Sequence, residues 1–506
     1  MTTPVRERTR RELARESKRR ALAQATRSSY LRRLGQWDRL RREGRLQPLR
    51  DWARDAKDRV LSDHRRHLEQ FVRAVRERGG HVHLAATPEE AVAHVVAIVR
   101  RHGARLAVKS KSMATEEIHL NAGLEAAGVE VVETDLGEYI IQLAGERPVH
   151  IVGPSIHYDR EAVARLFSRH LGEPMPPDPE ALTQVARRVL REKFLAADIG
   201  ITGANFGVAE TGTVVLVTNE GNGRMVTTLP RVLITVMGLE KLVATWADLE
   251  PLLTLLPRSA TGQTLTSYVT AITGPRRPGE ADGPEEFHVV ILDAGRSRLL
   301  GTPFQPALRC LRCGACLDAC PVFRQVGGHA YLPPYSGPIG VVITPLLKGM
   351  AAAGEVLDLC SLCGACTEAC PVQIPLHRFI LDLRHERAKS PRGSRWERLL
   401  FRLWAWAWRT PGRYRWTVRL LRALARPFVR DGHLRWLPGP LAAWGEGRAF
   451  PAPAARPFHE RWADLAREPE PGAAPSPAGS PNDSLAGKSP AGPERNTGEV
   501  AGGGRR

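Results

Sequence analysis

The residues best suited to chemistry in this chain are its 8 cysteines, which occur as two copies of one spacing. Each copy reads C-x2-C-x2-C-x3-C and is followed at once by proline. Disulfide pairing does not require a repeated spacing of this kind, and zinc sites typically use paired C-x2–4-C arms, so the pattern fits neither of them well. Two-residue gaps let three thiolates of one loop reach the same iron–sulfur cluster, so the spacing predicts two [4Fe–4S] clusters. The cysteines are Cys310, Cys313, Cys316, Cys320, Cys360, Cys363, Cys366 and Cys370.

The last cysteine of each copy leads away from its own loop and usually serves the other cluster. The segment between Cys320 and Cys360 has 39 residues, which leaves room for helices and favours an α-helical dicluster ferredoxin domain. Such a domain is similar to the iron–sulfur subunit of succinate dehydrogenase, and its two adjacent clusters pass single electrons. His329 is a further candidate ligand, although a packed histidine is favoured beside a full set of thiolates. The predicted ligand sets are Cys310, Cys313, Cys316 with Cys370, and Cys360, Cys363, Cys366 with Cys320.

Polar side chains also gather between a predicted strand and a predicted helix, at Lys109, Ser110 and Lys111. Ligands of open α/β sheets bind outside the carboxyl ends of strands, and helix N-termini favour anions. These side chains are therefore candidates to bind a carboxylate or a phosphate, and the alternative is a capped turn exposed to solvent. A second polar set flanks a later strand, where Asn and Gly equally favour ordinary turns. Its candidates are Glu210, Thr211, Asn219, Glu220 and Asn222.

The elements that must position these residues alternate between short β-branched runs and helical stretches. This alternation predicts an α/β layer fold with a largely parallel sheet. The α/β region contains neither a G-x-G-x-x-G fingerprint nor a P-loop. The predicted strands are 81–85, 105–109, 129–133, 149–152, 213–218, 232–237 and 288–292. The predicted helices are 47–78, a helix capped by Thr87 that runs to about 101, 113–127 and 374–387.

Changes in composition divide the chain into five predicted regions. A basic helical extension precedes the α/β domain, and the helical cysteine-containing domain follows it. The next region is helical and rich in Arg and Trp, with 7 of the 11 tryptophans lying in 391–450. The last region has almost nothing apolar to bury and is predicted to be a disordered tail. The regions are 1–78, 79–300, 301–390, 391–466 and 467–506.

The net charge of +19 first suggests a nucleic-acid partner, but it is confined to two flanks. Residues 1–50 carry a net +11 and residues 391–450 a net +10, so the rest is nearly neutral and no nucleic acid is expected. Around 399–408 arginines alternate with Leu and Trp, which predicts either peripheral contact with the inner face of a membrane or packing on a partner. No apolar stretch approaches about 18 residues and no secretory segment follows the N-terminal arginines, so we expect a cytoplasmic location.

Specific patterns extend beyond the cysteines. They include KSKSMATEEI (109–118), ADIGITGANFGVAETGTVVLVTNEGNGRM (197–225), RCLRCGACLDACPVFRQVGGHAYLPPYSGPIG (309–340) and LCGACTEACPVQIPLH (362–377). Through these strings the chain resembles the lactate utilization protein B family over about residues 45–390. The resemblance implies an α/β LUD domain, similar in fold to the NagB/RpiA/CoA-transferase group, ahead of the dicluster ferredoxin domain.

The resemblance also implies a function, an iron–sulfur electron-transfer subunit of a complex that oxidises L-lactate to pyruvate and is inactive as a single subunit. The implied partners are a cysteine-rich iron–sulfur subunit and a second LUD-domain subunit. The resemblance strengthens the case for a ligand site, because the polar candidates fall inside matching strings, but the capped turn stays an equal alternative and no catalytic residue carries over. Two alternatives stay open, a subunit that oxidises another 2-hydroxy acid such as glycolate, and a nucleic-acid-binding iron–sulfur sensor.

Overall fold

Four helices precede the first strand in the computed structural model, which describes residues 3–389, 395–434, 450–454 and 456–466. The continuous helix predicted for 47–78 is wrong, because the backbone of Asp63 leaves the helical conformation (φ −131°, ψ 51°) and divides it in two. The second of these helices ends before Gly79, as expected, and Gly79 takes a positive φ of 84°. The helices are α1 (Val5–Ala14), α2 (Glu16–Arg42), α3 (Leu46–Ser62) and α4 (His64–Glu77).

A parallel six-stranded sheet forms the centre of the α/β region, as the alternation of elements predicts. The inner strands are buried along their whole length, which explains their continuous apolar runs. In spatial order the strands are β1 (His81–Ala85), β10 (Glu286–Leu292), β7 (Val232–Gly238), β4 (Ile199–Thr202), β2 (Leu106–Lys109) and β3 (Glu130–Glu133).

Two strand predictions need correction. The segment 149–152 is not a strand but a turn, in which His150 Nδ1 accepts hydrogen bonds from the N–H groups of Val152 and Gly153, both at 3.1 Å. Strand β4 was missed because Gly200 interrupts its apolar run. A Cβ at Gly200 would lie 2.1 Å from the carbonyl oxygen of Val226, so the close approach of the neighbouring helix requires glycine there.

Helices cover both faces of this sheet. The Thr87 hydroxyl accepts the N–H of Glu90 at 3.2 Å, so the predicted cap of α5 is confirmed. The helix predicted for 113–127 is broken at His119, which takes a left-handed φ of 53°. The helices of the α/β region that follow β1 are α5 (Pro88–Arg101), α6 (Met113–Glu117), α7 (Leu120–Ala126), α8 (Leu136–Ala144), α9 (Arg160–Leu171), α10 (Pro179–Ala196), α11 (Asn222–Thr228) and α12 (Trp246–Ala260).

A second, mixed sheet joins the α/β region to the cysteine-containing segment. Its strands in spatial order are β8 (Leu242–Val243), β5 (Phe206–Val208), β6 (Thr213–Thr218) and β9 (Tyr268–Ile272). One hydrophobic core contains Phe206 from this sheet, Trp37 from α2, and Phe323 and Tyr331 from the cysteine-containing segment. The N-terminal helices therefore pack on both regions, and Met1–Gly393 forms one compact unit.

The cysteine-containing segment is helical, as predicted. Its two longest helices, α15 and α18, contribute the buried side chains of Ile339 and Ile380 to the shared core. The helices are α13 (Ala315–Ala319), α14 (Phe323–Val326), α15 (Gly337–Lys348), α16 (Met350–Ala353), α17 (Ala365–Glu368) and α18 (Leu376–Lys389).

Residues Ser394–Arg506 form a second unit, of which the described part is mainly helical. None of the described helices of the chain is long and apolar enough to span a membrane. The predicted tail 467–506 lies outside the described residues. The elements of this unit are α19 (Arg395–Trp408), α20 (Pro411–Ala425), β11 (Val429–Arg430), β12 (His433–Leu434), β13 (Phe450–Pro451) and α21 (Phe458–Leu465).

Candidate functional site

A cavity of about 320 Å³ opens at the carboxyl edge of the parallel sheet. Residues within about one turn after the ends of β2, β3, β4, β7 and β10 line it, together with the end of β6 and of α12. This is the edge at which open α/β sheets bind their ligands, and the volume lies within the range of small-molecule sites. We call it the sheet-edge cavity.

Five of the eight polar candidates from the sequence line the sheet-edge cavity. Ser110 Oγ lies 2.6 Å from Thr202 Oγ1, and Lys111 Nζ donates a hydrogen bond to the carbonyl oxygen of Val152. Burial raises the pKa of Glu220, and the nearby carboxylate of Asp135 raises it further. The five are Ser110, Lys111, Asn219, Glu220 and Asn222.

Lys109 is not among the described residues that line the cavity. Its side chain is fully buried, and its Nζ lies 2.8 Å from Glu133 Oε1 and 3.1 Å from Thr115 Oγ1. Burial alone would lower the pKa of Lys109, but Glu133, Glu138 and Glu116 outweigh it and raise that pKa. Lys109 therefore neutralises a buried group of acids beneath the cavity.

Glu210 and Thr211 are also absent from the described lining, because they form the turn between β5 and β6. Glu210 Oε1 accepts the backbone N–H of Trp246 at 2.7 Å, at the first turn of α12. Thr211 Oγ1 lies 2.8 Å from Thr213 Oγ1. Thr211 therefore makes a local turn contact, whereas Glu210 accepts a hydrogen bond from the start of α12.

A buried network of charges, which the sequence reasoning missed, forms another wall of the sheet-edge cavity. Arg296 Nη2 lies 2.6 Å from Glu117 Oε2, and Arg296 Nε lies 2.7 Å from Glu240 Oε2. Arg312, from the first cysteine motif, reaches Glu240 Oε1 at 3.5 Å and places its guanidinium 4.1 Å from the centre of the Tyr335 ring. Tyr335 in turn donates its hydroxyl to Glu117. The network thus ties the cysteine motif to the sheet edge.

Gly238 shows how tightly this network is packed. A Cβ at this position would lie 2.1 Å from Glu240 Oε2 and 2.9 Å from Arg296 Nε. Glu240 and Lys241 come two and three residues after the end of the buried strand β7. Because ligands of open α/β sheets bind outside the carboxyl ends of strands, this position could have indicated both residues from the sequence.

Two cations of this wall keep unpaired donors. Within the described part of the chain, Lys241 Nζ makes no hydrogen bond and no ion pair, and burial lowers the pKa of this lysine to about 8. Arg312 Nη1 is buried and has no hydrogen-bond partner among the described residues. Both side chains line the sheet-edge cavity.

The eight cysteines lie around two smaller cavities. The first cavity is lined by Cys310, Cys313, Cys316 and Cys370, and the second by Cys320, Cys360, Cys363 and Cys366. Each cavity therefore combines three cysteines of one motif with the last cysteine of the other. His329 lines neither cavity, and its Nε2 lies 2.7 Å from the carbonyl oxygen of Arg147.

The two motifs adopt the same loop. Arg312 and Leu362, at equivalent positions, both take a positive φ, of 60° and 56°. Their backbone N–H groups point to Cys310 Sγ at 3.4 Å and to Cys360 Sγ at 3.3 Å. Backbone N–H groups directed at sulfur are the arrangement that stabilises cluster-bound thiolates.

The thiol groups show why these cavities fit metal clusters. Burial, together with the neighbouring cysteines, raises the pKa of Cys313 to about 12 and that of Cys366 to about 12. Burial likewise raises the pKa of Cys370 to about 11. Four crowded sulfurs of this kind become thiolates only if a cation compensates their charge, and iron supplies that compensation.

The first cysteine cavity adjoins the sheet-edge cavity. Ile151, Leu311, Arg312 and Cys313 line both. The two cysteine cavities are neighbours as well, because Cys316 and Cys320 are separated by one turn of α13, about 6 Å along the axis. The three cavities therefore follow one another from the sheet edge toward Cys363, which is exposed.

Three family models match successive segments between residues 68 and 466. The LUD domain matches residues 68–292, a 4Fe-4S dicluster domain matches residues 306–374, and the C-terminal model of lactate utilisation protein B matches residues 382–466. The matches make the chain an iron–sulfur protein of the LUD-domain class, and its dicluster domain fits two [4Fe–4S] clusters, which confirms the predicted cofactors.

Curated relatives narrow the assignment further. Lactate utilization protein B of Bacillus licheniformis is 47% identical over 421 residues, which cover 83% of this chain and 88% of the relative. The protein of the same name from Bacillus subtilis is 46% identical over 417 residues, which cover 82% of this chain and 87% of the relative. The chain therefore belongs to the lactate utilization protein B family, as the sequence motifs suggested.

Removal of the buried cation beneath the cavity should destabilise the fold. Lys109→Met leaves Glu133 without its partner, and the loss of one member of a buried ion pair costs about 3–5 kcal/mol. The matched control is Lys193→Met, whose exposed pair with Glu130 is worth less than about 1 kcal/mol. We expect a clearly lower urea midpoint, followed by circular dichroism, for the Lys109 variant alone. Equal midpoints for the two variants would contradict the structural role of Lys109.

Proposed function

We propose that this chain is the iron–sulfur electron-transfer subunit of a multi-subunit complex that oxidises L-lactate to pyruvate. The observation that carries the proposal is the succession of the sheet-edge cavity, the first cysteine cavity, the second cysteine cavity and the exposed Cys363. The substrate in this proposal comes from the name of the relatives, lactate utilization protein B.

The cavity linings support one set of ligands for each cluster. Cys310, Cys313, Cys316 and Cys370 would hold the first cluster, and Cys360, Cys363, Cys366 and Cys320 the second. When bound, such clusters accept and release single electrons, which divides the two-electron oxidation of a 2-hydroxy acid into single steps. The chain itself binds, orients and shields these groups.

The surroundings of the two cysteine cavities differ in a way that suits a relay. Each cavity has two buried cysteines, but Cys363 in the second is exposed, whereas none of the four cysteines of the first is. A partner subunit can therefore approach the second cavity at the surface. We propose that this surface meets the cysteine-rich iron–sulfur subunit, and that a second LUD-domain subunit completes the complex.

An alternative substrate is another 2-hydroxy acid such as glycolate, which a substrate panel on the assembled complex would identify.

Loss of a single cysteine should remove a single cluster. In Cys313→Ser or Cys363→Ser we expect the iron content to fall from about eight to about four atoms per chain, with loss of one electron paramagnetic resonance signal. Lactate-dependent growth should stop in both strains. Ser361→Ala, next to Cys363 but without a thiol, is the control and should keep both signals. Growth on lactate by either cysteine variant would overturn the proposed function.

The two cysteine motifs differ at one position that bears on their redox potentials. Arg312 in the first loop is replaced by the neutral Leu362 in the second, and both residues take the same positive φ. A fixed positive charge beside a cluster stabilises its reduced, more negative state and so raises its midpoint potential.

Substitutions at these two positions should therefore shift the midpoint potentials of the two clusters in opposite directions. Arg312→Leu should lower the midpoint potential of the first cluster by tens of millivolts in order of magnitude, and Leu362→Arg should raise that of the second. A redox titration followed by electron paramagnetic resonance on the anaerobic protein measures both. An unchanged first potential in Arg312→Leu would contradict this assignment.

The second unit supports a proposal about location. Trp396, Trp404, Trp406 and Trp408 on α19 are 49–75% exposed, and arginines lie between them in the sequence. Basic helices with exposed tryptophan bind anionic membrane surfaces, so we propose peripheral contact with a membrane at this helix. Co-sedimentation with anionic liposomes should occur at low salt and weaken at high salt, whereas its absence at low salt would refute the contact.

A further inference from the structure

Lys241 is the cation of the sheet-edge cavity that most needs a partner. It follows β7 directly and lines the cavity, and its Nζ has no hydrogen bond or ion pair within the described residues. Within the described residues its neighbour Glu240 makes no ion pair with it, because the Glu240 carboxylate lies against Arg296 Nε at 2.7 Å and Arg312 Nη2 at 3.5 Å. The charge of Lys241 is therefore left for a ligand.

The position of Lys241 is fixed from behind. Lys57, itself fully buried, donates hydrogen bonds to the backbone carbonyl oxygens of Glu240 at 2.6 Å and Leu242 at 3.0 Å. The backbone on both sides of Lys241 is thus held in place. A held backbone limits the positions that the Lys241 side chain can reach, which reduces the entropy lost when a ligand binds.

Arg312 supplies a second donor to the same space. Its Nη1 is buried without a hydrogen-bond partner among the described residues, while its Nη2 engages Glu240. The guanidinium lies against the Tyr335 ring, which restrains its orientation. Two cationic side chains with unpaired donors on one cavity wall form an arrangement that binds an anion.

The charge balance of the cavity indicates which anion. The lining contains four cationic side chains and three carboxylates, and Glu117 behind the wall pairs with the lining residue Arg296, so these eight charges balance one another. Each further negative charge must then be held by the unpaired donors of Lys241 and Arg312 alone, which favours a monoanion over a phosphate dianion. The charged lining residues are Lys111, Lys241, Arg296, Arg312, Asp135, Glu220 and Glu240.

We propose that the sheet-edge cavity binds a small monocarboxylate of the 2-hydroxy or 2-oxo acid class, with its carboxylate held by Lys241 and Arg312. The class of acid rests on the proposed function, whereas the monoanion rests on the charges of the cavity. Because Arg312 and Cys313 line both cavities, the bound acid lies at the wall of the first cysteine cavity. Lys241 and Arg312 are binding residues for this ligand.

Isothermal titration calorimetry on the full chain with both clusters, under anaerobic conditions, tests the site. The probes are L-lactate, pyruvate, acetate and inorganic phosphate. We expect saturable binding of L-lactate or pyruvate to the wild type, and at least about tenfold weaker binding to Lys241→Met, because a charge-assisted hydrogen bond is lost. Lys241→Arg should recover part of the affinity. The control Lys193→Met, on the surface, should bind like the wild type.

Iron content and the resonance signals of each variant show that the protein is intact. Absence of saturable binding to the wild type, or equal affinity of wild type and Lys241→Met, would overturn the proposal. Stronger binding of phosphate than of either acid would also overturn it. These outcomes are distinct from failure of the proposed function, which growth on lactate without Cys313 or Cys363 would show whatever the cavity binds.

Discussion

The buried ionic chain from Glu117 through Arg296 and Glu240 to Arg312 is the interaction on which the functional arrangement depends. It brings the first cysteine loop against the carboxyl edge of the parallel sheet, and without it the sheet-edge cavity would lack one wall. Burial acts against ionisation of Glu240, but Arg296 and Arg312 lower its pKa to about 2. Each charge here is compensated only by the others, so loss of one member leaves an unpaired buried charge.

The crossed cysteines impose a second constraint. Cys370 must return to the first loop and Cys320 must reach the second, so the helices between them pack as one body with α2 and α3. Part of the basic N-terminal flank serves this packing. Arg33 is buried against Trp37, and Arg50 donates to the carbonyl oxygen of Cys370 at 3.0 Å. The positive charge of this flank first suggested a nucleic-acid partner. Part of it instead holds the N-terminal helices against the chain's own cysteine-containing segment.

Periodicity and spacing predicted the parallel sheet and the cysteine motifs, because both depend on local patterns. Strand β4 was not predicted because Gly200 interrupts its apolar run. The glycine is required by the close approach of α11, a contact that the local sequence pattern does not show. The two lysines of the sheet edge also show that local sequence patterns do not reveal tertiary contacts. Lys109 and Lys241 lie at or just after the ends of β2 and β7, yet Lys109 meets Glu133 on the neighbouring strand, whereas the carboxylate beside Lys241 is already bound by two arginines. Pairings of this kind depend on tertiary contacts and cannot be read from spacing.

The central claim is that a carboxylate site adjoins the first cluster. Electron–nuclear double resonance on the reduced protein, with carbon-13 in the carboxyl group of pyruvate or L-lactate, tests this contact most directly. We expect a carbon-13 coupling to the first cluster that disappears in Cys313→Ser and is weakened in Lys241→Met. A saturated sample without any such coupling, or a coupling that survives the loss of the first cluster, would contradict it.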